Sequence, residues 1–400
     1  MTKSPASGGP LRIVMLNWRD TRNPEGGGSE RYVETVARHL VAGGHQVTIV
    51  CAAHADAPAE ETRDGVRFVR RGSKLGVYPQ ALRYLLRRRS GSYDVVVDVQ
   101  NGMPFLSRLV TRKPVVVLVH HVHREQWHVV YGPVRARIGW WVESRLAPWL
   151  YRRSQYVAVS HVTRSELAGL GVDADRIAVV HNGTEAPLAA DTVRDPAPHL
   201  CVLGRLVPHK RVEHALEALA RLRPDHPDAR LTVLGHGWWD DELRAVAHRL
   251  GVDDAVEFTG RVDETEKHVA LARSWVLLTP SLKEGWGLCI TEAASHGVPS
   301  VAYRSAGGVA ESVVDGGTGL LVEDDLDAFV AATRRLLDDA ELRQRLGTAA
   351  RDRSTEYSWD TASAAFLAVL RTAVAGRTRH DSDAVEGEPV RTRDDRAGVA

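Results

Sequence analysis

Three consecutive pieces of sequence decide the fold class: LRIVMLN at residues 11–17, GGSERYVETVARHLVAGG at 27–44, and QVTIVC at 46–51. The first and third are short apolar runs rich in β-branched residues, the pattern of strands buried on both faces. In the second, Val33, Val36, Ala37, Leu40 and Val41 recur at i, i+3, i+4, i+7 and i+8, one face of an α-helix. Gly43 and Gly44 stop that helix. Strand, helix and strand joined by short connections make a parallel pair with the helix packed on the sheet.

The same alternation continues outward. Further strands are expected at 66–69, 94–99, 114–119, 155–159 and 176–180. Pro187, Pro196 and Pro198 then mark a linker over 186–198. A second series follows, with strands expected at 200–203, 230–234, 255–258, 275–278 and 299–302. Between them lie helical patterns such as Val212, Ala215, Leu216, Leu219 and Ala220. The expectation is α/β, with two Rossmann-like doubly wound domains facing across a cleft. We place a flexible start at 1–10, one domain at 11–192 and the second at 197–357. A returning helix at 358–376 carries Phe366, Val369 and Leu370 on one face, and a disordered tail follows at 377–400. In such sheets ligands sit beyond the carboxyl ends of the strands.

Composition bounds the function. A chain of 400 residues is long for one core and fits two domains. With 44% hydrophobic and 26% charged residues it is neither collagen-like nor wholly disordered. The net charge of +1 offers no global basic field, so nucleic acid is not an expected partner. No run reaches membrane-spanning length, and no apolar segment suggests a secretory signal near the start. The three cysteines, Cys51, Cys201 and Cys289, stand far apart, which fits a reducing cytoplasm. Only six of the 52 basic residues are lysines, so an isolated lysine carries more information here than an arginine.

The candidate site lies mainly in the second half. Arg205 ends a strand and Lys210 follows just before a helix, so two cations meet at the sheet mouth. Paired cations suit a diphosphate leaving group. The run EGWGLCITE spans Glu284 to Glu292 and opens another helix. Its start at Gly287, Leu288 and Cys289 presents free backbone N–H groups to a phosphate, and its carboxylates are acceptors for sugar hydroxyls. Gly235 lies in a Gly-x-Gly turn after a strand, and Val262 follows Gly260 and Arg261 where main-chain groups can hold a base. In the first half, Gly28 belongs to a glycine-rich helix start, with Ser29 as the plain N-cap alternative. His120, His121 and His123 follow a strand, and His120 suits a sugar hydroxyl better than a metal, because no further ligand stands at coordinating spacing. Residues 133–153 mix Arg135, Arg137, Arg145, Arg152 and Arg153 with Trp140, Trp141, Trp149 and Tyr151. Ile138, Trp141, Val142, Leu146, Trp149 and Leu150 fall on one helical face, which either packs on the sheet or meets a membrane interface.

Taken together, these motifs resemble the retaining glycosyltransferases of family 4 (glycosyl transferases group 1), which have the two-domain GT-B fold. The resemblance covers roughly residues 11–375. It rests on GGSE at 27–30, G-R-x4-K at 204–210, the Glu284/Glu292 pair, and the GG-x-x-E run ending at Glu311. It implies transfer of a hexosyl group from a UDP- or GDP-sugar to a hydroxyl on a lipid-linked sugar, polysaccharide precursor or natural product. It further implies that Arg205 and Lys210 neutralise the diphosphate, Glu284 contacts the donor sugar, Glu292 holds the ribose, and His120 touches the sugar. Gly28 would lie near the diphosphate, no metal would be needed, and the enzyme would be cytoplasmic, at most touching the inner face of the membrane. His209 and His121 depart from the acids common at those positions in relatives. A sugar-nucleotide epimerase of the same fold is the alternative. A nicotinamide-dependent dehydrogenase would need the GxGxxG fingerprint that does not follow the first strand.

Overall fold

A computed structural model describes residues 9–88, 92–188 and 192–376. The expected tail at 377–400 and most of the expected flexible start lie outside these residues. Two sheets organise the chain. The first holds β1 (Arg12–Leu16), β2 (Gln46–Cys51), β3 (Glu60–Arg63), β4 (Val66–Arg70), β5 (Val95–Gln100), β6 (Val115–Val119), β7 (Gln155–Ala158) and β8 (Ile177–Val179), in the order β3-β4-β2-β1-β5-β6-β7-β8. All pairs are parallel except β3 with β4. The second holds β9 (His199–Leu203), β10 (Arg230–Leu234), β11 (Val256–Gly260), β12 (Val276–Thr279), β13 (Ser300–Tyr303) and β14 (Gly319–Val322), all parallel, in the order β11-β10-β9-β12-β13-β14.

The central strands are apolar throughout because helices cover both faces. Every residue of β5 and of β6 is buried. Two strands lie outside those expected from the sequence. β3 is EETR, an antiparallel edge strand: Glu60 is exposed, while half-buried Glu61 and Arg63 pair inward with Arg70 and Glu34. β14 is only four residues long. The helix Trp359–Val374 returns to the first sheet, where Trp359, Phe366, Val369 and Leu370 join the core beneath Tyr32 and Val36. The Tyr32 ring meets Trp359 and Phe366 edge-on at 5.8 and 6.3 Å.

Residues 133–153 correct one expectation. The helix Pro133–Trp141 passes into a π-helical turn at Val142–Leu146 before Ala147–Leu150. The apolar face is not packed on the sheet as a unit, which removes the packed alternative for its exposed members. Glu143, Ser144 and Ala147 are buried instead, while Ile138, Trp141 and Trp149 are each more than half exposed.

Candidate active site

The carboxyl ends of both sheets open onto one cavity of about 1390 Å³. Its walls are residues that follow strands: Arg19 after β1, Asn101 after β5, His120 after β6, Arg205 after β9, Gly235 after β10, Arg261 after β11 and Lys283 after β12. Gly28, Lys210, Val262, Glu284, Gly287, Leu288, Cys289 and Glu292 line it as well, so every site residue proposed from the sequence faces this one space.

On the second-sheet side, Lys210 closes a short turn at Pro208–Lys210, and its ammonium pairs with the Glu284 carboxylate. The Ser281 hydroxyl donates to Glu284 at 2.7 Å. Burial opposes ionisation of Glu284, but Lys210 and Ser281 outweigh it and hold the carboxyl below its ordinary range. Gly235 has φ of +136°, and a Cβ there would sit 1.9 Å from the Gly204 carbonyl oxygen, so only glycine lets the two loops meet. Gly287, at φ +89°, is the N-cap of the helix Leu288–Ser295, and its first residues Leu288 and Cys289 line the cavity. Glu292 lies one turn inside that helix and accepts from Lys267 at 2.7 Å.

The first lobe supplies the facing wall. Buried Glu30 accepts the Gly27 N–H at 2.8 Å and the Ser29 hydroxyl at 2.9 Å, and Gly27, not Ser29, is the N-cap of Gly28–Ala42. The carboxylate therefore shapes the glycine crest that meets Arg205, where a Cβ on Gly27 would stand 3.0 Å from Arg205 Nε. Arg31, one residue further, forks across the cleft to Glu264 at 2.6 and 2.8 Å and reaches Glu292 at 3.5 Å. At the rear the lobes touch backbone to backbone, where a Cβ on Gly285 would fall 2.2 Å from the His120 carbonyl oxygen.

His120 is 5% exposed and its Nε2 has no partner among the described residues. Burial pushes its pKa down to about 4, with His123 adding to the shift and Glu30 opposing it. It is thus a neutral imidazole with one nitrogen free for a ligand hydroxyl. Its neighbours are already engaged: His121 Nε2 meets Gln126 Oε1 at 2.8 Å, and His123 Nδ1 meets Glu143 at 3.1 Å. Glu311, the end of the GG-x-x-E run, lies outside the cavity wall. It accepts the N–H groups of His161 and Val162 at 2.9 and 2.6 Å.

The buried imidazoles give a pH prediction. Burial holds His120, His209 and His296 neutral, with pKa values of about 4, about 3 and about 4. Unfolded, each takes a proton at about pH 6.5. Between those values the unfolded state binds more protons, so stability is greatest above about pH 6.5 and falls as pH drops toward 4. Glu264 adds the same sign at lower pH: burial opposes its ionisation, yet Arg31 and Lys267 bring it to about 2. The thermal midpoint should therefore decline steadily from about pH 7 to about pH 4.5. A flat or rising midpoint over that range would contradict the neutral imidazoles.

The sequence did not single out Arg31 or Lys267. Arg31 follows directly on the GGSE motif, which was its only signal. Lys267 sits in an exposed-type helix pattern and gave none.

Residues 189–353 match the family model for glycosyl transferases group 1, and residues 26–186 match that for Glycosyltransferase Family 4. A GDP-mannose-dependent alpha-(1-6)-phosphatidylinositol monomannoside mannosyltransferase of Mycobacterium tuberculosis is 30% identical, over 87% of this chain and 95% of its own length. The chain belongs to glycosyltransferase family 4. A glycogen synthase of the same organism is 29% identical over 92% of this glycosyltransferase and 96% of its own length. The fold is GT-B: sucrose-phosphate synthase from Thermosynechococcus elongatus superposes with a TM-score of 0.77 at 20% identity, covering 91% of this chain and 99% of the other. HepE of Anabaena in complex with UDP-glucose superposes at 0.73 and 17% identity, covering 90% and 100%. Among the described residues, no helix of this glycosyltransferase is long and apolar enough to cross a membrane.

Proposed function

We propose that this glycosyltransferase moves a hexosyl unit from a UDP- or GDP-sugar to a hydroxyl acceptor with retention of the anomeric configuration. The observation that carries this reading is the meeting of Arg205, Lys210, Glu284 and the helix start at Gly287 with His120 and Gly28 in one cavity. The second lobe, 197–357, takes the donor, and 11–192 with the returning helix 358–376 takes the acceptor. Arg205, Lys210 and the N–H groups of Leu288 and Cys289 bind the diphosphate and stabilise its charge as the glycosidic bond breaks. Glu284 orients sugar hydroxyls, and the free nitrogen of His120 makes a further contact to the sugar. Glu292 exchanges its Lys267 contact for the ribose hydroxyls. Gly235 and Val262 border the base.

How the donor-side groups are held argues against a double displacement through a covalent sugar–enzyme intermediate. Glu284 is engaged by Lys210 and Ser281, and Glu292 by Lys267, so neither stands free as a nucleophile. Burial raises the Cys289 thiol to about 12, which keeps it protonated. In the retaining reading proposed here, the acceptor hydroxyl attacks from the face the diphosphate leaves, and a phosphate oxygen of the donor takes its proton. The same engagements support a metal-independent reaction, because the positive charge a metal would bring is supplied by two side chains. The epimerase alternative is disfavoured because His120, at about 4, is a poor proton donor near neutrality.

A panel of nucleotide sugars, scored for thermal stabilisation and for the anomeric configuration of the product, tests the assignment. One sugar nucleotide should stabilise the chain strongly and give a retained linkage. Donor turnover to an epimer without acceptor, or an inverted product, would refute it.

The exposed side chains of Val134, Ile138, Trp141 and Trp149, with Arg135, Arg137 and Arg152 beside them, support peripheral contact with the inner face of the membrane and an acceptor presented there. The Arg152 guanidinium lies 5.3 Å from the Trp149 ring, an arrangement suited to headgroups above an apolar boundary. Binding to anionic phospholipid vesicles should weaken with salt and drop at least several-fold when Arg152 and Arg153 become serine. Equal co-sedimentation of variant and wild type would remove the membrane from this reading.

A further inference from the structure

Behind the donor loop, and outside the cavity, His161, His181 and Glu311 converge with their ligand-capable atoms all within 4.8 Å of one another. His161 starts the helix His161–Gly169 and His181 follows β8, both in the first lobe. Glu311 comes from the helix Val309–Ser312 of the second. His181 Nε2 stands 3.5 Å from Glu311 Oε2. Two ligands on a tetrahedral ion with bonds near 2.0–2.1 Å stand about 3.4 Å apart, so this pair already has co-ligand spacing. The His161 ring is exposed, and its ligand atom lies within 4.8 Å of the other two.

Two of the three ligands are fixed in advance. The His181 ring packs on Trp286 at 4.5 Å and meets Tyr357 edge-on at 5.7 Å. Glu311 is held by the N–H groups of His161 and Val162, one to each oxygen. Helix capping accounts for that carboxylate but not for two imidazoles turned toward it. A carboxylate has about four lone-pair positions, so each oxygen keeps one for a cation. No other trio of His, Cys, Asp and Glu among the described residues has this spacing.

We propose that the chain binds a borderline-soft divalent cation, zinc above all, at His161, His181 and Glu311, and that the ion ties the two lobes together. Two nitrogens and one oxygen with an open fourth position suit zinc, whereas magnesium and calcium prefer all-oxygen shells. The ion takes no part in the transfer step, since its ligands lie outside the donor cavity. It acts on the lobes: product release requires them to part, and a bridge between His161, His181 and Glu311 resists that.

The test titrates the full chain with zinc chloride against a chromophoric chelator. The expected result is one zinc held per chain, with affinity lowered roughly tenfold or more by His161→Ala or His181→Ala. His161 is exposed, so its variant keeps the test decisive even if the packed His181 variant folds poorly. Glu311→Gln, checked for intact fold by circular dichroism, should weaken binding as well, because Glu311 is the second lobe's contribution. Failure of the chain to hold zinc, or unchanged affinity in the double histidine variant, overturns the site. Unchanged affinity in a folded Glu311→Gln chain overturns the bridge. Stoichiometric zinc should also slow sugar transfer in the wild type and not in His161→Ala. That arm alone rests on the proposed reaction, and an unchanged wild-type rate with zinc bound overturns the restraint on opening.

Discussion

Alanine in place of Lys210 should lower kcat for sugar transfer by roughly 10²–10³-fold, the loss expected when a preorganised charge facing a developing anion is removed. Two effects combine. In the proposed arrangement the diphosphate loses one of its two cations, leaving Arg205 and the helix start. Glu284 also loses the partner that keeps it ionised. Burial then dominates, the carboxyl takes up a proton more readily, and it orients the sugar differently. Glu284→Gln should cost tenfold or more, and the double variant should cost much less than the product of the two single losses, because the residues form one ion-paired unit. Circular dichroism and the thermal midpoint would confirm that neither chain is unfolded. Near-wild-type rates in Lys210→Ala would mean the diphosphate lies elsewhere.

Elements built from apolar runs were legible because burial on both faces of a parallel sheet demands such runs, as in β5 and β6. β3 was hidden because an edge strand of charged residues carries no such signature. The exposure of Trp141 and Trp149 was not fixed by a 3.6-residue period, because the period puts them on one face without saying whether that face packs on the sheet. In the site, residues just after strands were legible, since sheet topology places strand ends together. The fork from Arg31 to Glu264 was not: the two lie 233 residues apart, on helices of opposite lobes, and nothing local to either announces the other. Glu311 shows the reverse case. The motif was visible, but its job is to hold the helix His161–Gly169 rather than to face the cavity.

Alanine at Gly285 should lower the rate of transfer almost as far as loss of Lys210, by a route that removes no charged group. The added Cβ would lie 2.2 Å from the His120 carbonyl oxygen and 3.2 Å from a methyl of Val159. The first of these is backbone of the opposite lobe, which cannot swing aside as a side chain can. The Gly285 carbonyl oxygen is similarly confined on its own side, since a Cβ on Gly308 would approach it to 1.9 Å, so the loop has little freedom to retreat. The strain is relieved most easily by parting the lobes. That withdraws Glu284 from His120 and Arg205 from the crest at Gly27. A displacement of about 1 Å between such groups can cost about 10²-fold in rate. Donor binding should suffer much less, because Arg205, Lys210 and the helix start all belong to the second lobe. The expected signature of Gly285→Ala is therefore a kcat lowered by roughly 10²-fold with a donor dissociation constant within a few-fold of wild type. Small-angle scattering should show a donor-bound form more extended than the wild type. If kcat survives, the contact between Gly285 and His120 is not part of the reacting arrangement, and the rear of the cleft must close in some other way.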